Sequence, residues 1–200
     1  MKRWILVLLA LALILSIAAC GRKPAKVEEV PVLEMMEKIW EGMPAEPQFP
    51  CMGGDFETAV EGRPGDFSDR EAFVYALYVP EKLVDKIEAC ASVMHMLNSN
   101  SFTGAGYQLK DGDDVESFSK DMENALKNNR WICGIPEEYF IAALGKNVVV
   151  VFGLSEIVDG FSSSMKNAYP GTNVLYSGSL NKTDNETECV NGCGVRPQHF

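Results

Sequence analysis

The sequence predicts an α+β domain: a four-stranded, mainly antiparallel sheet in ferredoxin-like β-α-β-β-α-β order, with extra N-terminal helices packed on it. Three observations predict it. From residue 102 the pattern runs strand, helix, strand, strand, helix, strand. Gly145-Lys146-Asn147 separates two apolar runs and reads as a hairpin. Val148 to Phe152 is apolar without alternation, so both of its faces should be covered, and two upstream amphipathic segments are the available cover.

The chain begins with Met1-Lys2-Arg3, an apolar run from Trp4 to Leu15, then Ser16-Ile17-Ala18-Ala19-Cys20. The run is too short to span a bilayer, which takes about 20 apolar residues, and matches a secretory core of about 7–15. Ile17-Ala18-Ala19-Cys20 resembles the bacterial lipobox of aliphatic, small, small and cysteine. That resemblance implies cleavage before Cys20 and diacylglycerol on its thiol. Two acyl chains on one residue suffice for stable anchoring. The domain reading is therefore 1–19 signal peptide, 20–29 tether, 30–66 amphipathic helix and Pro/Gly-rich loop, 67–178 α+β domain, and 179–200 polar Cys-containing tail. The expected location is the extracytoplasmic face of the cell membrane.

Residues 20–200 suit one domain plus tails. The full chain has a net charge of −10, and the leader contributes two cations and no acid. So acidic a chain is repelled by nucleic acid, which excludes that class of partner. Of six cysteines, Cys20 is assigned to the anchor, leaving Cys51, Cys90, Cys133, Cys189 and Cys193. An odd number excludes a complete disulfide framework, so the fold must rest mainly on its core.

Gly21 to Glu29 is polar and reads as the tether. Val32, Leu33, Met36, Ile39, Trp40 and Met43 share one helical face, which Gly42 and Pro44 end. This helix docks on the domain in the simplest reading. A membrane-surface helix would want a basic polar face, and this one is mostly acidic. Pro44 to Asp66 is rich in proline and glycine; so long a connection marks a candidate site region. Asp69 is placed to cap a short segment from Glu71 to Tyr78, read as helix. Pro80 opens a further helix, with Leu83, Ile87, Cys90, Met94 and Leu97 on its buried stripe. Cys90 there reads as an inert core thiol. A strand is expected over 102–109, then a helix capped at Asp113 with Glu116 completing a capping box. Strands at Tyr139–Leu144 and Val148–Phe152 follow, then a helix carrying Ile157, Phe161, Met165 and Ala168, and a strand from Asn173 to Ser177.

The lipobox, the helix after Pro80, and Gly145-Lys146-Asn147-Val148-Val149-Val150-Val151 followed by a helix resemble small lipoproteins of Gram-positive bacteria grouped as a domain of unknown function. The resemblance covers roughly residues 28 to 170. It implies location and fold class, and it offers no active-site residues to carry over. The Pro/Gly-rich insertion and the cysteine-containing tail depart from it.

The candidate sites are few. Met94-His95-Met96 offers soft copper ligands, but adjacent residues point apart and Met94 belongs to the core stripe. Cys189-Val-Asn-Gly-Cys193, with His199 beyond, could supply three metal ligands. Its spacing falls outside the usual knuckle and a fourth ligand is missing, so a Cys189–Cys193 disulfide is favoured by the oxidising exterior. Asp111, Asp113, Asp114 and Glu116 lack the order of a calcium loop and read as turn plus cap. Glu137 and Glu138 are adjacent and would face opposite sides of a strand. Gly104-Ala105-Gly106 lacks the preceding strand of a nucleotide loop, and Gly160-Phe161-Ser162-Ser163-Ser164 lies within a helix pattern and is no nucleophile elbow.

No catalytic set converges, so no catalytic residue, metal or cofactor is assigned. The expectation is a non-enzymatic binding or interaction module, held to the membrane through Cys20 and presented to cell-wall or surface protein partners. The alternatives are a small extracytoplasmic hydrolase, a thiol–disulfide protein, or a metal-binding lipoprotein. A buried carboxylate or histidine facing a cleft would favour the hydrolase.

Overall fold

The computed structural model describes residues 30–44, 49–132 and 134–181. Cys20, Cys133, Cys189, Cys193, the leader, the tether and all but the first residues of the tail lie outside these. Helix α1 (Val32–Glu41) comes first, followed by three short strands: β1 (Cys51–Gly53), β2 (Val60–Glu61) and β3 (Gly65–Asp66). Two short helices, α2 (Ala72–Ala76) and α3 (Glu81–Val84), lead into β4 (Ile87–His95) and β5 (Phe102–Leu109). Then come α4 (Val115–Asn128), β6 (Glu138–Leu144), β7 (Asn147–Gly153), α5 (Ser155–Ala168) and β8 (Asn173–Ser179).

The sheet corrects the expected fold class. It has eight strands, not four, in the order β2-β1-β4-β5-β7-β6-β8, with β3 also pairing β4, and every pairing is antiparallel. A ferredoxin-like sheet would return β8 beside β5. That edge of β5 is held by β4, and β8 instead pairs with β6. The change moves a helix. The crossovers β5–α4–β6 and β7–α5–β8 each advance two positions in the same direction, but they start from antiparallel strands. Crossovers of one hand must then lie on opposite faces. The two cores confirm that separation: Phe118, Met122 and Leu126 of α4 lie in one, and Ile157, Phe161 and Met165 of α5 in the other.

The second correction concerns residues 87–95, expected as helix and found as β4. The stripe Ile87, Cys90, Met94 is compatible with a helix, but β4 is covered on both faces and shows no polar alternation to reveal it. Cys90 enters the α4-side core, while Ala91 and Val93 enter the other. Of the helix expected to open at Pro80, only Glu81–Val84 is helical. The Pro/Gly-rich connection is also more ordered than expected, since β1, β2 and β3 extend the sheet there.

The valine run behaves as a strand between two layers. Val148 and Val150 belong to the α4-side core, Val149 and Val151 to the α1/α5-side core, and all are buried. At about 1.5–3 kcal/mol per fully buried aliphatic side chain, this strand ties the two layers together. Helix α1 lies across β4 and β5. Its close approach needs Gly106, where an added Cβ would lie 2.7 Å from Val32 Cγ2 and 2.9 Å from Met36 Cγ. Ser164 of α5 donates to the Ile39 carbonyl at 2.5 Å, joining the two helices of that layer.

Candidate binding site

A cleft of about 740 Å³ opens where the short strands and α2 meet the outer half of β4. Met52 and Met94 stand directly opposite one another in the β1–β4 register and both line it. Phe67, Ala72 and Ala76 add apolar wall. Two aromatics at the cleft are largely in water: Phe56 is 98% and Tyr75 70% exposed. A volume of this size falls within the range of small-molecule sites, about 300–1,000 Å³.

One buried carboxylate holds the cleft's loop in place. Gly54, at φ +81°, takes a left-handed turn that delivers Asp55 inward. Asp55 Oδ1 accepts the N–H groups of Glu57 and Thr58, each at 3.0 Å, and lies 2.8 Å from the Thr58 hydroxyl. Its Oδ2 accepts the N–H of Ser68 at 2.6 Å, the Ser68 hydroxyl at 2.9 Å and the N–H of Asp69 at 2.8 Å. Burial alone would raise its pKa, but these donors, Asp69 N–H and Thr58 foremost, outweigh it and hold the carboxyl well below the usual carboxylate range. Asp69 Oδ1 in turn accepts the N–H groups of Glu71 and Ala72 at 3.0 Å, satisfying the start of α2 as expected from sequence.

A second, smaller cavity of about 320 Å³ adjoins the cleft and shares Asp55, Phe56 and Asp69 with it, adding Glu57 and Ser68. One chamber is apolar and its neighbour is lined by carboxylates. Phe56 stands on both.

The other sequence candidates do not converge here. His95 lies on the opposite face of β4 from Met94, stacked on Phe49 with ring centroids 5.3 Å apart. Its Nδ1 accepts the N–H groups of Leu97 and Asn98 at 3.1 and 3.3 Å. Glu137 Oε2 accepts the N–H and hydroxyl of Ser155 at 2.9 and 2.8 Å, closing the start of α5 and lowering its own pKa. Asp114, not Asp113, caps α4, accepting the Glu116 N–H at 2.9 Å. Cys51 and Cys90 are buried free thiols in different cores, and burial raises both pKa values. Gly104 and Gly106 lie within β5. Among the described residues no group of three or more His, Cys, Asp or Glu is placed to hold a metal, and no helix is long and apolar enough to cross a membrane.

Sequence reasoning marked the Pro/Gly-rich region but missed Met52, Phe56 and Tyr75. Their signal was a phenylalanine set directly after Gly53-Gly54-Asp55 and a tyrosine in an aromatic-rich short helix. Scans against protein-family models, curated proteins and solved structures find no match to this chain.

Proposed function

We propose that this chain is a lipoprotein anchored to the membrane through Cys20, and that its folded part is a non-enzymatic binding module whose ligand site is the Met52–Met94 cleft. The carrying observation is an apolar cavity of small-molecule size edged by two exposed aromatic rings. Single exposed apolar residues are ordinary; several around one cavity mark a recognition surface.

The place of Val30 in the fold is compatible with the same reading. Asn147 Nδ2 donates to the Val30 carbonyl at 2.7 Å, so Val30, the described residue nearest in sequence to Cys20, sits at the Asn147 end of the sheet. Met94 is level with Thr103 and Phe152, near the other end. From Asn147 to Phe152 the strand covers about 17 Å. Val30 and the cleft therefore lie toward opposite ends of the sheet.

The hydrolase alternative has one observation in its favour, since a buried carboxylate does face the cleft. Four backbone N–H groups and two hydroxyls surround Asp55, however, and its lowered pKa keeps it ionised. A general acid or base has to exchange a proton near the working pH. Asp55 serves the loop instead.

Two measurements test the reading. Cys20→Ser should abolish incorporation of labelled fatty acid into the chain; labelling that persists in the variant would remove Cys20 as the anchor. Indole, followed by saturation-transfer NMR on the full chain, should bind the wild type and lose that binding in Phe56→Ala/Tyr75→Ala. Undiminished indole binding by the double variant would remove the cleft as the site.

A further inference from the structure

We infer that the cleft takes an organic cation, an apolar or aromatic body bearing one positive charge; this rests on the reading of the cleft as a ligand site. An apolar chamber alone would select for size and hydrophobicity. This one opens beside a second cavity whose lining includes Asp55, Glu57 and Asp69. A ligand body seated against Met52 and Met94 places any substituent that points past Phe56 among carboxylates.

The charge there is not cancelled by the neighbouring cations. Between residues 49 and 76 the acids are Asp55, Glu57, Glu61, Asp66, Asp69 and Glu71, against Arg63 and Arg70. Both arginines are engaged elsewhere. Arg63 pairs with Glu37 of α1. Arg70 donates to the carbonyls of Ile87, at 3.1 Å, and Val84, and lies 3.6 Å from Asp85. Neither lines either cavity.

The exposed rings add to the same preference. The face of an aromatic ring attracts a cation, and the exposed rings of Phe56 and Tyr75 both line the cleft. Asp55 contributes fixed negative charge without rearranging, because its donors already hold it ionised. An anion of the same size would meet these acids and the acidic chain as a whole.

The test is a matched series of one ring with three charges: tryptamine, indole and indole-3-propionate, titrated into the full chain by saturation-transfer NMR. Tryptamine should bind about tenfold more tightly than indole, equivalent to ~1.4 kcal/mol, and indole-3-propionate should bind weakest. Raising the salt should shrink the tryptamine-to-indole ratio. Glu57→Gln should lower the ratio and Glu57→Lys should bring it to one or below; among the described residues the Glu57 side chain makes no hydrogen bond that the fold would lose. Glu116→Gln, on α4 and outside both cavities, should leave the ratio unchanged. Equal binding of all three ligands, lost in Phe56→Ala/Tyr75→Ala, would overturn the cation preference and leave the binding reading intact. A tryptamine preference that survives Glu57→Lys would also overturn it. Failure of all three ligands to bind would overturn both.

Discussion

Asp55 Oδ2 accepts the backbone N–H of Asp69 at 2.8 Å, so one carboxylate positions the next. Asp69 then closes the first turn of α2, and α2 carries Tyr75 to the cleft. The apolar site is therefore built on a polar knot, and its stability should follow the chemistry of that knot.

Asp55→Asn keeps one acceptor oxygen and turns an NH₂ group toward backbone N–H donors. At least one buried donor then loses its partner. We expect a loss of about 1–3 kcal/mol in urea unfolding, the range for unsatisfied buried groups. An unchanged midpoint would show that the loop does not depend on this carboxylate.

The same residue sets an acid limb. Folding lowers the Asp55 pKa, so below the unfolded value of about 3.9 the unfolded chain takes up more protons than the folded one. This contribution is complete above that value and disappears as pH falls through the folded-state pKa. Glu123 adds to the limb: burial raises its pKa, but bonds from Lys127 and Tyr139 outweigh that and lower it overall. Unfolding measured from pH 6 to pH 2 should show a falling limb, shallower in Asp55→Asn.

Gly106→Val should destabilise by about 1–3 kcal/mol, because a side chain there meets Val32 and Met36 of α1. Trimming the opposing residue should relieve part of it. A double-mutant cycle with Val32→Ala should therefore give a coupling above about 0.5 kcal/mol, as expected for residues in contact. Strict additivity would mean that α1 does not lie on β5 as described.

Cys51 and Cys90 should resist alkylation in the folded chain. Both are nearly inaccessible, and burial disfavours their thiolates. Iodoacetamide at pH 8, followed by peptide mass analysis, should leave both unmodified until the chain is unfolded. Labelling of Cys90 in the native state would contradict its place in the α4-side core.

Asn147→Ala removes the bond to the Val30 carbonyl, and also the Asn147 Oδ1, which has no partner among the described residues. The two effects oppose, so global stability should change by less than about 1 kcal/mol. The local effect should be larger. Amide exchange at Met35, whose N–H bonds the Pro31 carbonyl at 2.9 Å, should quicken as the start of α1 loosens.

Sequence was enough for the elements whose signal lies in a few consecutive residues. Ala105, Tyr107 and Leu109 alternate enough to mark β5; acids and apolar residues separate cleanly around α4; and Gly145-Lys146-Asn147 announces the β6–β7 turn. Neighbours in the chain carry each signal: apolar residues alternating with small or polar ones in β5, acids set against apolar residues around α4, and a turn between two apolar runs. Tertiary structure alone settled β4, because Ile87, Cys90 and Met94 fit a helical stripe as well as a strand, and with β4 went the sheet order, the position of β8 and the face that α5 covers. It also decided the cleft. Met52, Phe56, Tyr75 and Met94 belong to different elements, and a cavity is a property of how those elements meet, which no local spacing records.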